Sequence, residues 1–245
     1  MTTVGDIYRF LDGWAPFATQ MGFDNAGLQV GSMGDAVGSA LVCLDVMPQT
    51  IAQAAHAGCQ LVVSHHPVLF RARKQLPAHD PAWLLARHGI AALACHTNLD
   101  IAPGGVNDVL AARLELPVVE ALPCGVRLCA IAPTAAQELA RRVGVSLRAH
   151  VRYCDAGKPI ATVAVCGGSG WDLMEEIYGR ADAYLTGDAD HHNFLEAAQR
   201  GLSLLAAGHY ETEIPMIPVL AQRLRAAFPE ISWQEASELG GILHA

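Results

Sequence analysis

Six short apolar runs, each stopping at or just before glycine, histidine or aspartate, constrain this chain more than any other feature: ALVCLDV, QLVVSHH, IAALACHT, ATVAVCGG, AYLTGD and LSLLAAGH. Runs of this length, rich in valine, isoleucine and leucine, read as strands buried on both faces. Between them lie PQTIAQAAHAG, PAWLLARHG and WDLMEEIYG, which predict helices. Pro48 and Pro81 suit the first turns of the first two, and Gly58 and Gly89 suit their C-caps. Strands alternating with helices predict an α/β fold: two α/β domains with largely parallel or mixed sheets covered by helices. A composition of 52% hydrophobic and 16% charged residues supplies enough apolar side chains for that arrangement.

The two halves align as a weak internal repeat. In the first, a strand ending near Asp45 leads to SHHP and then to HTNLD; in the second, ATVAVCGG leads to LTGDADHH and then to GHYETE. Residues 117–159 have no counterpart, so a second domain is expected to begin there. The predicted division is 1–122 plus 205–245 for a discontinuous metal-site domain and 123–204 for a second α/β domain.

No apolar stretch reaches the ~20 residues that cross a bilayer, and the N-terminus carries no basic flank before an apolar run. A cytoplasmic, membrane-free protein is expected. Seven cysteines without a CxxC pair fit buried free thiols in a reducing compartment, Cys95 among them as core packing. The net charge of -8 argues against general nucleic-acid binding, since neutralising phosphates needs a basic face. The local basic run is RARK, Arg71 to Lys74.

Four segments carry the chemistry: Ser64-His65-His66-Pro67, His96-Thr97-Asn98-Leu99-Asp100, Thr186 to His192, and Gly208-His209-Tyr210-Glu211-Thr212-Glu213. They hold more than half of the eleven histidines. Each closes a strand-like run, and the carboxyl ends of strands are where sites assemble in open α/β sheets. Imidazole with carboxylate and no thiolate pair suits zinc, iron, manganese or nickel, and softness alone does not choose among them. His65 and His66 can serve one site only if the strand ends there, because neighbouring side chains in a strand point to opposite faces. Pro67 favours that ending. Glu213 is the natural bridging carboxylate of a two-metal site. The prolines of IPMIPVLAQRL suggest a helix starting near Glu213 rather than one running through His209. Asp100 reads equally well as a ligand or as the cap of a following helix. Gly167-Gly168-Ser169-Gly170 could cradle a phosphate or form a tight turn from strand to helix.

In order along the chain, FDNAGLQVG (Phe23 to Gly31), SHHP, HTNLD, CGGSG, LTGD followed by HH, and GHYETE resemble the Nif-three-like family of dinuclear-metal proteins, often labelled GTP cyclohydrolase I type 2. The resemblance implies two divalent ions, His65 and Asp100 binding one, His66 and His209 the other, and Glu213 bridging. It implies His96 as a neighbouring group or proton shuttle, so His96 and Glu213 are the catalytic candidates. Asp24, Asn25, Asp188 and His192 are weaker candidates for ordering the site or meeting substrate, and turn chemistry or helix capping explains them otherwise. Family members are similar in forming toroidal homohexamers.

The expected function is a metal-dependent hydrolase of a nucleotide or related phosphorylated heterocycle. The alternative is a non-catalytic metal-binding, metal-handling or regulatory scaffold.

Overall fold

A computed structural model describes residues 1–237. It divides into two compact units, Met1–Pro103 with the chain from Ile217, and Gly104–Met216. The sequence boundaries at 122/123 and 204/205 therefore fall inside the second unit, and residues 238–245 lie outside the described residues. The chain leaves the first unit at Pro103, shortly after HTNLD.

The first unit contains β1 (Gly27–Val30), β2 (Ser39–Cys43), β3 (Leu61–Ser64), β4 (Ala91–Ala94) and β11 (Ser232–Glu235). Among the described residues its sheet runs β1-β4-β3-β2-β11, with β11, β2, β3 and β4 parallel and β1 antiparallel to β4. Its helices are α1 (Val4–Trp14), α2 (Pro48–His56), α3 (Pro81–His88), α4 (Thr97–Ile101) and, from the boundary onward, α10 (Met216–Ala227). Pro48 and Pro81 open α2 and α3 as predicted, and Gly89 closes α3 in the left-handed region. Leu41, Ile51, Val62, Leu85 and Ala92 share one buried cluster, which places α2 and α3 on one face of the sheet.

The second unit contains β5 (Val118–Ala121), β6 (Arg127–Thr134), β7 (Arg152–Tyr153), β8 (Ile160–Val165), β9 (Ala183–Thr186) and β10 (Ser203–Ala206), in the order β5-β6-β8-β9-β10-β7. Its helices are α5 (Val106–Arg113), α6 (Ala136–Leu147), α7 (Met174–Ile177), α8 (His191–Gln199) and α9 (His209–Glu213). The two-residue period of a strand is visible in the packing. Val163, Val165, Ala183, Leu185 and Leu205 enter one core with α5 and α6, while Ala164, Tyr184, Leu204 and Ala206 enter a second on the opposite face. Both faces are covered, which explains why these strands are mostly apolar. Truncating one such residue, Leu185→Ala, removes about 3 kcal/mol of stability.

The halves match in plan. Each sheet holds three chain-ordered parallel strands, β2-β3-β4 and β8-β9-β10, with an antiparallel edge strand beside the last. WDLMEEIYG is less helical than expected: it forms a 3-10 turn at Trp171–Leu173 and the single turn α7, whose buried residues are Met174 and Ile177.

Candidate metal centre

In the first unit, β3 stops at Ser64, one residue before the histidine pair. The backbone N–H groups of His65 and His66 still reach Cys43 and Leu44 carbonyls at 3.1 and 3.0 Å, and the Ser64 hydroxyl donates to the His66 carbonyl at 2.8 Å. That turn lets adjacent side chains share a side: the two ring centroids lie 4.9 Å apart. His96, just past β4, lies 5.3 Å from the His65 ring and 5.6 Å from the His66 ring. One ring nitrogen from each of the three falls within 4.8 Å of the others. Asp100 Oδ1 stands 3.6 Å from His65 Nε2.

HTNLD forms α4 rather than a loop before a later helix. His96 occupies the N-cap position, its N–H donates to Asn98 Oδ1 at 2.9 Å, and Asp100 lies within the helix instead of capping another. Asn98 is buried and donates to the Ala15 carbonyl at 2.7 Å, which anchors this turn.

His209 and Glu213 belong to the second unit, and here the structure corrects the expected helix start. A single turn, α9, begins at His209 and ends at Glu213, and α10 follows as a separate helix. Gly208, at φ 91°, makes the turn-in, and Thr212 bonds the Gly208 and His209 carbonyls at 2.8 and 2.9 Å. Residues four apart on one turn face the same way, so His209 Nε2 comes within 3.2 Å of Glu213 Oε2.

Four histidines share a feature that sequence reasoning missed. Nδ1 of His65 lies 2.8 Å from the Cys95 carbonyl, that of His66 2.8 Å from Asp45, that of His96 2.8 Å from Asp24, and that of His209 2.7 Å from Asp188. Carbonyl and carboxylate oxygens only accept, so Nδ1 carries the hydrogen in each ring and the lone pair of a neutral ring sits on Nε2. This is how proteins prepare imidazoles for a metal. Asp24 and Asp188 were weaker candidates, and Asp45 was not singled out. A signal existed: Asp45 and His66 are 21 residues apart, as are Asp188 and His209, each pair ending neighbouring parallel strands.

Charges follow from these contacts. Burial pushes the Asp24 carboxyl up, but hydrogen bonds from His96 and Thr97 outweigh it and hold its pKa at about 2. Burial pushes the His209 imidazole down, yet Asp188 and Glu213 overcome this and raise it to about 10. A proton on Nε2 and a divalent cation answer the same Glu213 carboxylate. With imidazole nitrogens and carboxylate oxygens as donors, the residues fit a borderline divalent metal.

The CGGSG loop shapes the seat of Glu213 and does not offer a phosphate cradle. The N–H groups of Gly167, Gly168 and Gly170 donate to Asn107 Oδ1, Thr212 Oγ1 and Thr186 Oγ1 at 2.8, 3.0 and 3.0 Å. A Cβ at Gly168 would overlap the Glu213 carboxylate, and one at Gly187 would come within 2.6 Å of the Gly168 carbonyl and 2.8 Å of the His209 Cα. The glycines exist for close approach. Asn25 holds a neighbouring loop through the Leu69 carbonyl. His192 is exposed beside His191 in the first turn of α8, whose cap is Asp190.

A mixed α/β protein whose parallel strands end in oxygen-braced histidines and carboxylates is a candidate metal-binding protein by class. The profile of the Duf34/NIF3 (NGG1p interacting factor 3) family matches residues 2–238, and the chain belongs to that family. Relatives named GTP cyclohydrolase 1 type 2 homolog include one from Lactococcus lactis, 34% identical over 249 residues and covering 96% of both chains. Another, from Streptococcus pneumoniae, is 32% identical over 222 residues and covers 84% of both. Among solved structures, a Staphylococcus aureus protein superposes with a TM-score of 0.89 at 22% identity, covering 100% of this chain and 99% of that one. A Bacillus cereus protein related to NIF3 superposes with a TM-score of 0.89 at 19% identity and the same coverage. These two show the shared fold. Among the described residues, no helix is long and apolar enough to cross a membrane.

Proposed function

We propose that the chain is a cytoplasmic metal-dependent hydrolase, GTP cyclohydrolase-like, that acts on a nucleotide or related phosphorylated heterocycle and works as a toroidal homohexamer. His65, His66, Asp100, His209 and Glu213 would hold two divalent ions of zinc, iron, manganese or nickel, as the family resemblance implies. The observation that carries this reading is the bracing of four imidazoles through Nδ1 by backbone or carboxylate oxygen. Structural packing alone does not require the same tautomer four times.

Ions bound there would supply Lewis acidity that brings the pKa of a bound water down towards neutrality. The chain's own residues do the rest. Asp24 holds the Nδ1 hydrogen of His96, so Nε2 can take a proton from an attacking water, and the carboxylate stabilises the imidazolium that results. Asp188 does for His209 what Asp45 does for His66, fixing each ring before substrate arrives.

The test is metal analysis of the purified protein joined to a hydrolysis screen over nucleotides and phosphoesters. His65→Ala and Asp100→Ala should each lose mainly one ion, Glu213→Ala should weaken both, and turnover should vanish with Glu213. Full metal content in all three variants defeats the ligand assignment; wild-type metal content without Glu213-dependent turnover selects the non-catalytic scaffold.

A further inference from the structure

The FDNAGLQ segment does more than supply Asp24. Phe23 is 64% exposed and Phe70 38% exposed, although Phe17, a few residues earlier, is buried against Tyr8. The two exposed rings meet edge to face at 6.2 Å, and Phe70 meets His96 at 5.8 Å and 89°. An unbroken line of rings thus runs from the histidine cluster to solvent within the first unit.

This line is held in place by polar groups. Asn25 Nδ2 donates to the Leu69 carbonyl at 2.5 Å, and Gln29 Oε1 accepts from the Leu69 N–H at 3.1 Å. Gln29 Nε2 in turn donates to the Asn25 carbonyl at 2.5 Å. Arg73 ties the same loop down through Asp80 and, at 3.1 Å, the Val68 carbonyl. Two loops far apart in sequence are latched on either side of Phe23 and Phe70, which is the preorganisation a binding surface needs and a chance exposed ring lacks. Arg71 and Lys74 are exposed on the Phe70 loop.

We propose that Phe23 and Phe70 form an aromatic platform beside His96 that takes a planar aromatic heterocycle against the face of one ring and the edge of the other, with Arg71 and Lys74 meeting its anionic groups. The proposal rests on the hydrolase reading for the reason such a ring comes to the histidines. Every base has a π-face, so stacking is tolerant of base identity. The platform therefore predicts recognition of the ring and its charge, with little discrimination between purines.

The experiment is calorimetric titration of the metal-loaded full chain with GTP, ATP and inorganic tripolyphosphate. GTP and ATP should bind with similar affinity, and more tightly than tripolyphosphate. Phe70→Ala and Phe23→Ala should each weaken both nucleotides by about tenfold and leave tripolyphosphate unchanged. Phe70→Trp should restore nucleotide binding, and Arg71→Ala with Lys74→Ala should weaken all three ligands. Both rings are exposed, and thermal melting confirms that the variants fold. Unchanged nucleotide affinity in the alanine variants overturns the platform, as does a parallel loss of tripolyphosphate. Nucleotides binding no better than tripolyphosphate to the wild type, or a change of oligomeric state in the alanine variants, also overturns it. Turnover that survives those results leaves the hydrolase standing without its platform; the expected binding pattern without turnover leaves the platform and removes the hydrolase.

Discussion

Asp24 Oδ1 stands 2.8 Å from His96 Nδ1 while Asp24 Oδ2 accepts the Thr97 N–H at 3.0 Å, so one carboxylate both orients an imidazole and starts the helix beside it. Asp24→Asn keeps the shape and removes the charge. Turnover should fall by about 10–100-fold while bound metal stays at the wild-type level, because Asp24 braces the proton-accepting His96 rather than a ligand. Stability should fall by about 1–3 kcal/mol. Hydrolysis assays at full metal occupancy and urea denaturation measure the two effects, and wild-type turnover would contradict the role assigned to Asp24.

Gly168 lies at φ 63°, and a side chain there meets Glu213 and, at 3.3 Å, His209 Nε2. Gly168→Ala should cost about 1 kcal/mol from the left-handed backbone alone. It should also displace Glu213 and reduce bound metal far more than that stability loss implies. Metal content at a temperature well below the melting transition separates the two, and full content would show that Glu213 has room to yield.

Arg127 is buried and donates to both oxygens of Asp108, at 2.6 and 3.0 Å. Burial pushes the Asp108 carboxyl up, and Arg127 with the Gly104 N–H outweighs this and lowers it below 3.8. A carboxyl depressed in the folded state contributes stability that is fully present above its unfolded value and is lost as pH falls through its folded value. Asp108→Asn should therefore destabilise by about 3 kcal/mol at neutral pH, and the gap from wild type should close on acidification below about pH 4. A gap independent of pH would assign the loss to shape rather than charge.

All seven cysteines are free, and five are buried, Cys95 with its thiol pushed by burial to about 12. Cys124 and Cys154 are half-buried. At pH 8 a thiol reagent should modify those two first and reach Cys95 only on unfolding. Mass mapping of the labelled peptides checks the order; early labelling of Cys95 would mean that the His96 turn opens in the native protein.

What the sequence made legible depended on burial. The strands β2, β3, β4, β8, β9 and β10 are mostly apolar and buried, and they are readable as runs. β5 exposes all four residues, β7 has two, and SWQE of β11 buries only Trp233, so none carries a hydrophobic signature. The histidines were legible because they sit where those runs stop. Their carboxylate partners were not, since Asp24 and His96 are 72 residues apart and only the folded sheet brings them together. The prolines at 215 and 218 point to a helix starting near Glu213, whereas the positive φ of Gly208 lets α9 begin already at His209.

The first sheet is completed by β11, whose Ser232–Glu235 pairs in register with Ser39–Val42 of β2. A ribosome emits the 104–216 stretch without interruption, whereas the opening hundred residues wait for the tail before their last ladder can close. Closing so long a loop adds little entropic cost beyond that of a shorter one, but it sets an order of events. The inserted unit can mature while the outer one is still unfinished, so a nascent chain stalled before Ser232 would present β2 with an open edge.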